Sequence, residues 1–581
     1  MQVTKSFSGR RWALVECDEE AARALATQHE LSSVLARLLV ARGVRPEEVP
    51  GYLDPTLKRL LPEPLTLKDM DKAVARALAA IKAGERIAVF GDYDVDGSCS
   101  AALLVGFLSV VSAPPRVYTP DRMTEGYGPN AAALLRLKDE GISLVITVDC
   151  GAGAHQALQA ARDAGLDVVV LDHHATEHAP PCVAHVNPNA GGDTSGLGHL
   201  CAAGITFLFL VALNRALREA GGYAGRIEPD LREAIDLVGL ATVCDVVPLT
   251  GVNRAFVRGG LAKLAKLDRP GLAALARIAG VTPPFTPYHL GFVFGPRINA
   301  GGRVGRCGLG VDLLTTLDAA TAEEFALALD THNRERQAIE KLILDEAIAM
   351  AAQQDNSPFL LTSGDGWHPG VVGIVAGRLK DRFGKPSFVA GFEGGLGRGS
   401  ARSVPGTDIG GIIRAAREAG ALDTGGGHAM AAGFSLRPEQ LAAFRAFLVD
   451  AFTVRRPAEQ VVTLAVDAMV APSGATASLA HEISRAGPFG AGNPEPMIAV
   501  PDGQVVFADI VGHGHVRLRL AGADGARLDA IAFRVADTEL GRELLAARGH
   551  RIHAAGRLRA DEWNGRQRVQ LHLDDAAPSS A

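Results

Sequence analysis

The sequence predicts an α/β protein of two lobes joined by a long helix and followed by a small β-barrel. Short, continuously apolar strands alternate with amphipathic helices over residues 86–172, the pattern of a parallel sheet covered on both faces. A helix-prone stretch at 319–353 exceeds the usual length of a helix inside one domain and reads as a connector. Beyond Pro457 the chain changes to short strands punctuated by glycine, which suits a barrel. With 581 residues, 47% of them hydrophobic, the chain fills several cores, and global disorder is excluded.

Residues 1–52 read as a helical segment, because LSSVLARLLVARGV (31–44) has helical apolar spacing that Pro46, Pro50 and Pro55 end. Residues 53–255 hold the first α/β lobe. Its strands are RIAVF (86–90), RVYT (116–119), SLVITVD (143–149) and DVVVLD (167–172), and its helices cover 101–111, 131–141 and 155–165. Gly141 and Gly165 fall where helices stop. Residues 256–354 are a helical region ending in the connector, and 355–456 form a second α/β lobe, from PFLLTSG to AAGFSL. Residues 457–581 supply the barrel strands QVVFADIVG (504–512), VRLRL (516–520) and RLDAIAFRV (527–535).

No run of apolar residues is long enough for a membrane helix, and MQVTKSFSGRRW lacks the apolar core of an export signal. The seven cysteines are scattered without a CxxC pair, which argues against disulfides or a thiolate zinc site and for a reducing cytoplasm. A net charge of −6 excludes an overall basic coat but permits a local basic groove.

The strands of the first lobe end in acids. RIAVF runs into GDYDVDG (91–97) with Asp92, Asp94 and Asp96; SLVITV ends at Asp149; DVVVL ends at Asp172, followed by His173 and His174. Asp245 sits in ATVCDVVPL (241–249). A single acid at a strand end is often only the cap of the next helix. Several converging at the carboxyl edge of one sheet repel one another, and a divalent cation with oxygen and imidazole ligands relieves that.

These motifs, with PDRMTEGYG (120–128), TVDCG (147–151) and LDHH (171–174), resemble in order and spacing those of the DHH phosphoesterases, and most closely their bacterial branch of single-strand-specific 5′→3′ exonucleases. GPRINAGGR (295–303), GWHPGVVGIVAGRL (366–379), SARS (400–403) and GGGHAMAAG (425–433) resemble that branch and its DHH-associated domain, and GPFGAGNPEP (487–496) resembles the start of its OB-fold. The resemblance spans about 45 to 575. It implies two ions, Mn²⁺ or Mg²⁺, about 4 Å apart. Asp94 and Asp96 are each expected to hold one ion, Asp149 to bridge them, His173 and Asp245 to hold the second, and Asp92 to complete the first, since Phe90 stands where other members have a ligating His. His174 is expected beside the phosphate, with Asp172 orienting its neighbours. Arg122, Arg297 or Arg303, and the Ser400/Arg402 pair are expected to hold the terminal phosphate and nearby backbone, and His428 to contact the scissile region across the cleft. Tyr127 and Trp367 are candidates for stacking on bases. The glycines of GGGHAMAAG let a loop approach phosphates closely. The barrel has twelve arginines and no lysine after 457, slightly outnumbered by acids, so basic side chains are expected on one face only.

The resemblance implies a single-strand DNA exonuclease of repair and recombination, releasing 5′-mononucleotides. A 5′-ended single strand would be its substrate, and a single-strand-binding protein and a RecQ-type helicase its partners. A multi-lobed cytoplasmic monomer is the expected form. A nano-RNA or cyclic-dinucleotide hydrolase of the same superfamily is disfavoured by the length and the barrel, and a non-catalytic scaffold by the intact set of acids.

Overall fold

The computed structural model describes residues 3–122, 124–354, 356–454, 462–563 and 566–579. Pro457, Met123 of PDRMTEGYG and the tip 564–565 of the last barrel hairpin lie outside the described residues.

The first lobe is a five-stranded, wholly parallel sheet in the order Arg116–Tyr118, Ile87–Gly91, Leu144–Val148, Asp167–Leu171 and Ala184–Val186. The last strand was not anticipated; it has only three residues. Along each strand alternate residues enter two different cores. Val89, Ile146 and Val169 pack under the helices Met70–Ala83, Val95–Val111 and Ala202–Glu219. Phe90, Val145 and Val170 pack under Ala131–Asp139 and His155–Asp163. Gly141 and Gly165 take positive φ just past those two helices, as the sequence predicts. Strand order reverses between Ile87–Gly91 and Leu144–Val148. In an open parallel sheet that reversal opens a crevice at the carboxyl edge, and Asp92 and Asp149 are the residues that follow these two strands.

The connector is one helix, Ala319–Ala352, of 34 residues. It leads to a mixed sheet ordered Thr424–His428, Ala431–Leu436, Leu396–Arg402, Ser387–Glu393 and Leu360–Asp365. GGGHAMAAG is therefore a β-hairpin rather than a loop, because its small residues pair across to the neighbouring strand, Gly433 opposite Ser400 and Ala431 opposite Arg402.

The C-terminal strands close a barrel: Ile498–Val511 pairs with His515–Ala521 on one side and with Arg551–Trp563 on the other. Val516, Leu518 and Leu520 fill its interior. Arg517 and Arg519 face outward and, with Arg568, surround Asp529 at 3.9, 2.9 and 2.5 Å, leaving that face positive. Exposed Phe533 stands beside them, between the rings of His515 and His572.

The N-terminal segment corrects the helical reading. Helices Glu19–His29 and Ser33–Ala41 are present, but Arg11–Leu14 is a strand parallel to Thr463–Val466. Its Trp12 is buried and donates from Nε1 to the buried Asp575 carboxylate at 2.9 Å. Trp12→Phe leaves that carboxylate one donor short, and a hydrogen bond to a charged group contributes about 1.5–3 kcal/mol. The expected outcome is a lower unfolding temperature in a calorimetric scan; an unshifted scan would count against this anchor.

Candidate metal centre and phosphate-binding cleft

Each acid reaches the crevice through a local backbone device. Asp94 caps the helix Val95–Val111, accepting from Gly97 N at 3.0 Å. The turn needs glycine at 97, because a Cβ there would lie 2.5 Å from the Asp92 carbonyl. Asp96 accepts from Ala202 N and Ala203 N at 2.7 and 2.8 Å, so it also anchors the start of the helix Ala202–Glu219. Asp149 adopts φ +59, a left-handed conformation uncommon outside glycine. Asp245 follows the last turn of the helix Ile235–Cys244.

These side chains converge. Asp92, Asp94 and Asp149 each offer an oxygen within 4.8 Å of the others, and Asp96, His173 and Asp245 form a second such group. Asp149 joins the two: His173 Nε2 lies 3.3 Å from its Oδ1, 3.6 Å from Asp245 Oδ2 and 4.0 Å from Asp96 Oδ2. Burial, reinforced by the neighbouring carboxylates, pushes Asp92 and Asp149 well above the usual carboxylate range, Asp96 up to about 7 and Asp245 up to about 9. Burial holds His173 down to about 4, so it is neutral at pH 7 and free to ligate. Asp92 Oδ1 and Asp245 Oδ2 are buried without a hydrogen-bond partner. Clustered oxygens and a neutral imidazole, some of them orphaned, form a donor set that fits hard divalent cations.

The linked pH behaviour follows. A carboxyl group whose folded pKa is raised favours the folded state below its unfolded value near 4 and loses that contribution as pH climbs through the folded value. Between pH 7 and 9 His173 is neutral in both states and drops out. The metal-free protein is therefore expected to lose thermal stability across that window, and saturating Mn²⁺ to reduce the loss. Unfolding temperatures in EDTA and in Mn²⁺ test this; a metal-free temperature that rises from pH 7 to 9 contradicts it.

His174 is of the opposite kind. Burial alone would lower it, but Asp172 accepts from Nδ1 at 2.7 Å and holds it up at about 9, so it is a cation at neutral pH. Asp172 itself is held below the usual range by that imidazolium and by the Ala152 and His174 amides, although burial opposes them. Tyr127 donates to the Asp149 carbonyl at 2.9 Å and lies 3.2 Å from His174 Nδ1, with its ring edge-on to the imidazole. Two residues that the sequence did not flag brace this loop. Asn189 donates to the His173 carbonyl at 2.7 Å and Asn187 to the His174 carbonyl at 2.8 Å. Their one visible signal is VNPN (186–189), polar residues around a proline after an apolar strand. Asn299 is a third, accepting from Val95 N at 3.1 Å and tying GPRINAGGR to the turn after Asp94.

The phosphate candidates separate into two groups. Arg122 lies over the Tyr93 ring at 5.2 Å. Arg303 is half-buried, donates to the Gly370 carbonyl at 3.0 Å and is pushed down to about 10 by desolvation, with Arg122 and Arg336 adding to the effect. Gly370 lies in the first turn of the helix Pro369–Phe383, and a Cβ at Gly373, one turn on, would lie 3.1 Å from Ser400 Oγ and 3.2 Å from Arg402 Nη2. The start of this helix, with its positive dipole end, thus links Arg303 to the Ser400/Arg402 pair. Burial lowers the Arg402 pKa, and its Nη1 donates to Ser400 Oγ at 2.8 Å. No carboxylate among the described residues lies within 4 Å of the Arg122, Arg303 or Arg402 guanidinium. His428 is exposed at the end of its strand, in register with Ala431 and through it with Arg402. Arg297 departs from expectation, since it is engaged by buried Asp330 at 2.9 Å and by the Val293 carbonyl. Trp367 also departs: it is 5% exposed, packs in the core beneath the connector and donates to Glu346.

Comparisons with known proteins agree with one another. The N-terminal domain of the DHH family matches residues 86–242, the DHHA1 domain 356–453 and the RecJ OB domain 466–575. The chain is 33% identical to the single-stranded-DNA-specific exonuclease RecJ of Bacillus subtilis, over 98% of this chain and 71% of that protein. It is 33% identical to the Escherichia coli protein of the same name, over 94% and 96%. The crystal structure of RecJ in complex with Mn²⁺ from Thermus thermophilus superposes with a TM-score of 0.82 at 30% identity, over 98% of this chain and 80% of that one. The Mg²⁺ complex from the same organism gives 0.74 at 28%, over 98% and 79%.

Proposed function

The chain belongs to the RecJ family of DHH phosphoesterases, and from that premise and the site's geometry we propose a single-strand-specific 5′→3′ DNA exonuclease that releases 5′-mononucleotides. It is a metal-dependent phosphodiester hydrolase using Mn²⁺ or Mg²⁺. The observation that carries the reading is Asp149, shared between two donor groups and set in a crevice beside guanidinium groups without carboxylate partners.

In this reading Asp92 and Asp94 with Asp149 hold one ion, and Asp96, His173 and Asp245 with Asp149 hold the other. Divalent cations there supply Lewis acidity, which lowers the pKa of an attacking water and offsets charge gathering on phosphorus. The chain's own groups do the rest. His174, kept cationic by Asp172 and placed by Tyr127, donates to a non-bridging phosphate oxygen near the scissile bond. Asp172 keeps that proton on the imidazole instead of accepting it. Arg122, Arg303, Ser400 and Arg402 receive the 5′ terminal phosphate, because planar forks at a helix start match its oxygens. With the end held there and the acids beyond it, the first phosphodiester is the one positioned for cleavage. No serine or cysteine is required as a nucleophile, so water attacks directly and the 3′-oxygen leaves.

Residues 53–255 and 355–456 then form the two walls of the cleft, and the barrel of 457–581 tracks the strand on its arginine face. Single-strand specificity follows from a path that admits one strand. DNA repair and recombination fit the family. The finer expectations of a single-strand-binding protein, a RecQ-type helicase and a monomer rest on the family resemblance and on a single-chain site. No helix among the described residues is long and apolar enough to cross a membrane. A cytoplasmic setting is supported by the cysteines, all of which are free. The test is digestion of 5′-labelled and 3′-labelled single strands, each with and without Mn²⁺. Immediate release of a labelled mononucleotide from the 5′ end, dependent on metal, is expected; early release from the 3′ end overturns the polarity.

A further inference from the structure

Tyr93 stands in the chain between Asp92 and Asp94, two acids of one donor group. It is half-buried, and the Arg122 guanidinium lies over its ring, 5.2 Å from the centroid. Gly302 meets the same side chain: a Cβ there would lie 3.0 Å from Tyr93 Cδ2 and 3.1 Å from Tyr93 Cβ, so residue 302 has to stay small for the ring to sit where it does. Gly302 immediately precedes Arg303. Asn299, about one turn earlier on the helix Gly295–Val304, accepts from Val95 N at 3.1 Å. The helix that carries Arg303 is thus keyed to the acid-bearing turn by Asn299 and again by the packing of Gly302 on Tyr93.

Arg122 needs such a support. Its backbone N–H donates to Cys307 Sγ at 3.5 Å, which fixes the chain but not the guanidinium. Among the described residues no carboxylate lies within 4 Å of that guanidinium. Desolvation first, and Arg122 next, hold the Arg303 pKa down, so two like charges share the site before any phosphate arrives. A long side chain left to itself keeps its rotamer freedom and gives that freedom up when a ligand binds. A carboxylate would order it only by neutralising it. An aromatic face attracts the cation through the ring quadrupole and leaves the N–H fork free for phosphate oxygens.

We propose that Tyr93 is a positioning residue: its ring holds Arg122 at a fixed reach from the Asp92 and Asp94 carboxylates, and so sets the preference for a strand that begins with a phosphate. The inference rests on the exonuclease reading and deepens it, adding a residue that belongs neither to the donor groups nor to the phosphate candidates. One ring then ties the acids to the fork, and the spacing between the two does not depend on the loop 120–128 alone.

The experiment compares the full-length wild type with Tyr93→Leu, Tyr93→Phe, Gly302→Ala, Arg122→Ala and the double variant of Tyr93→Leu with Arg122→Ala, all in Mn²⁺. The substrates are 5′-phosphorylated and 5′-hydroxyl oligo-dT of one length. Tyr93→Leu is expected to lower the kcat/KM ratio of the phosphorylated over the hydroxyl strand by about tenfold, the scale of a desolvated cation–π contact. Tyr93→Phe keeps the ring and should keep the ratio. Gly302→Ala crowds the ring and should lower the ratio, which is a second route to the same result if Tyr93→Leu does not fold. In the Arg122→Ala background Tyr93→Leu should change the ratio little, because the two residues act as a unit. The rise in unfolding temperature on adding Mn²⁺ should match the wild type in Tyr93→Leu. A ratio that survives both Tyr93→Leu and Gly302→Ala, an equal loss with and without Arg122, or a lost Mn²⁺-induced rise overturns the role of Tyr93 alone. A wild type that digests both strands equally overturns the terminal-phosphate reading beneath it, and one inert on both overturns the exonuclease reading.

Discussion

Asp149→Asn is expected to lower the hydrolysis rate at saturating Mn²⁺ by at least about a thousandfold, on the order of 4 kcal/mol of transition-state stabilisation, while leaving the metal-free protein as stable as before or more so. Asparagine has nearly the same shape and tolerates the left-handed backbone that Asp149 adopts at φ +59, so the turn after Leu144–Val148 is preserved. What is removed is a carboxyl group whose ionisation desolvation first, and then Asp94, Asp96, Asp92 and Asp245, all oppose. Without metal, removal lifts the cost that folding bears in suppressing that ionisation. With metal it takes away a carboxylate oxygen that belongs to the Asp92–Asp94 group and lies 3.3 Å from His173 of the other group. Initial rates on single-stranded DNA and the rise in unfolding temperature on adding Mn²⁺ measure the two effects separately. Residual activity above a few per cent, or an unchanged Mn²⁺-induced rise, would falsify the sharing of Asp149.

Much of this nest was legible because its scaffold is written in simple patterns. Parallel strands buried on both faces appear as uninterrupted apolar runs, and a charged residue at the end of such a run has nowhere to go except the sheet's carboxyl edge. Asp92, Asp149 and Asp172 were found by that logic alone. The limits are equally physical. Asp94 and Asp96 do two jobs at once, offering oxygens to the nest while capping or anchoring a helix start, and a cap looks the same in sequence whichever job dominates. Arg297 and Arg303 share one glycine-rich motif, but they are six residues apart in the helix Gly295–Val304 and point different ways, one to Asp330 and one to Gly370. Spacing shows that two faces exist and not which of them meets the cleft. Asn187 and Asn189 act through hydrogen bonds to backbone carbonyls, an interaction with no periodicity to betray it. The strand Arg11–Leu14 is four residues long and finds its partner at Thr463–Val466, far beyond any local window.

Arg402→Lys is expected to lower kcat/KM for a 5′-phosphorylated strand by about ten- to a hundredfold while costing a 5′-hydroxyl strand much less. The guanidinium is fixed before substrate arrives: it donates to Ser400 Oγ and the Ala401 carbonyl from Nη1 and no carboxylate among the described residues neutralises it. A terminal phosphate carries more charge than an internal one and more free oxygens, so a rigid fork gains more from it than a single ammonium group does. Lysine keeps the charge and loses the fork, which makes the ratio of the two substrates, rather than either rate, the informative quantity. Arg297→Lys is the control: its guanidinium is already held by Asp330, so the ratio should stay at the wild-type value even if stability drops. Equal losses on both strands with Arg402→Lys would move Arg402 from the terminus to the internal backbone. The direction of digestion would then have to arise from how the strand is threaded past Asp245, since the fork at Ser400 and Arg402 would no longer be distinguishing an end from a middle.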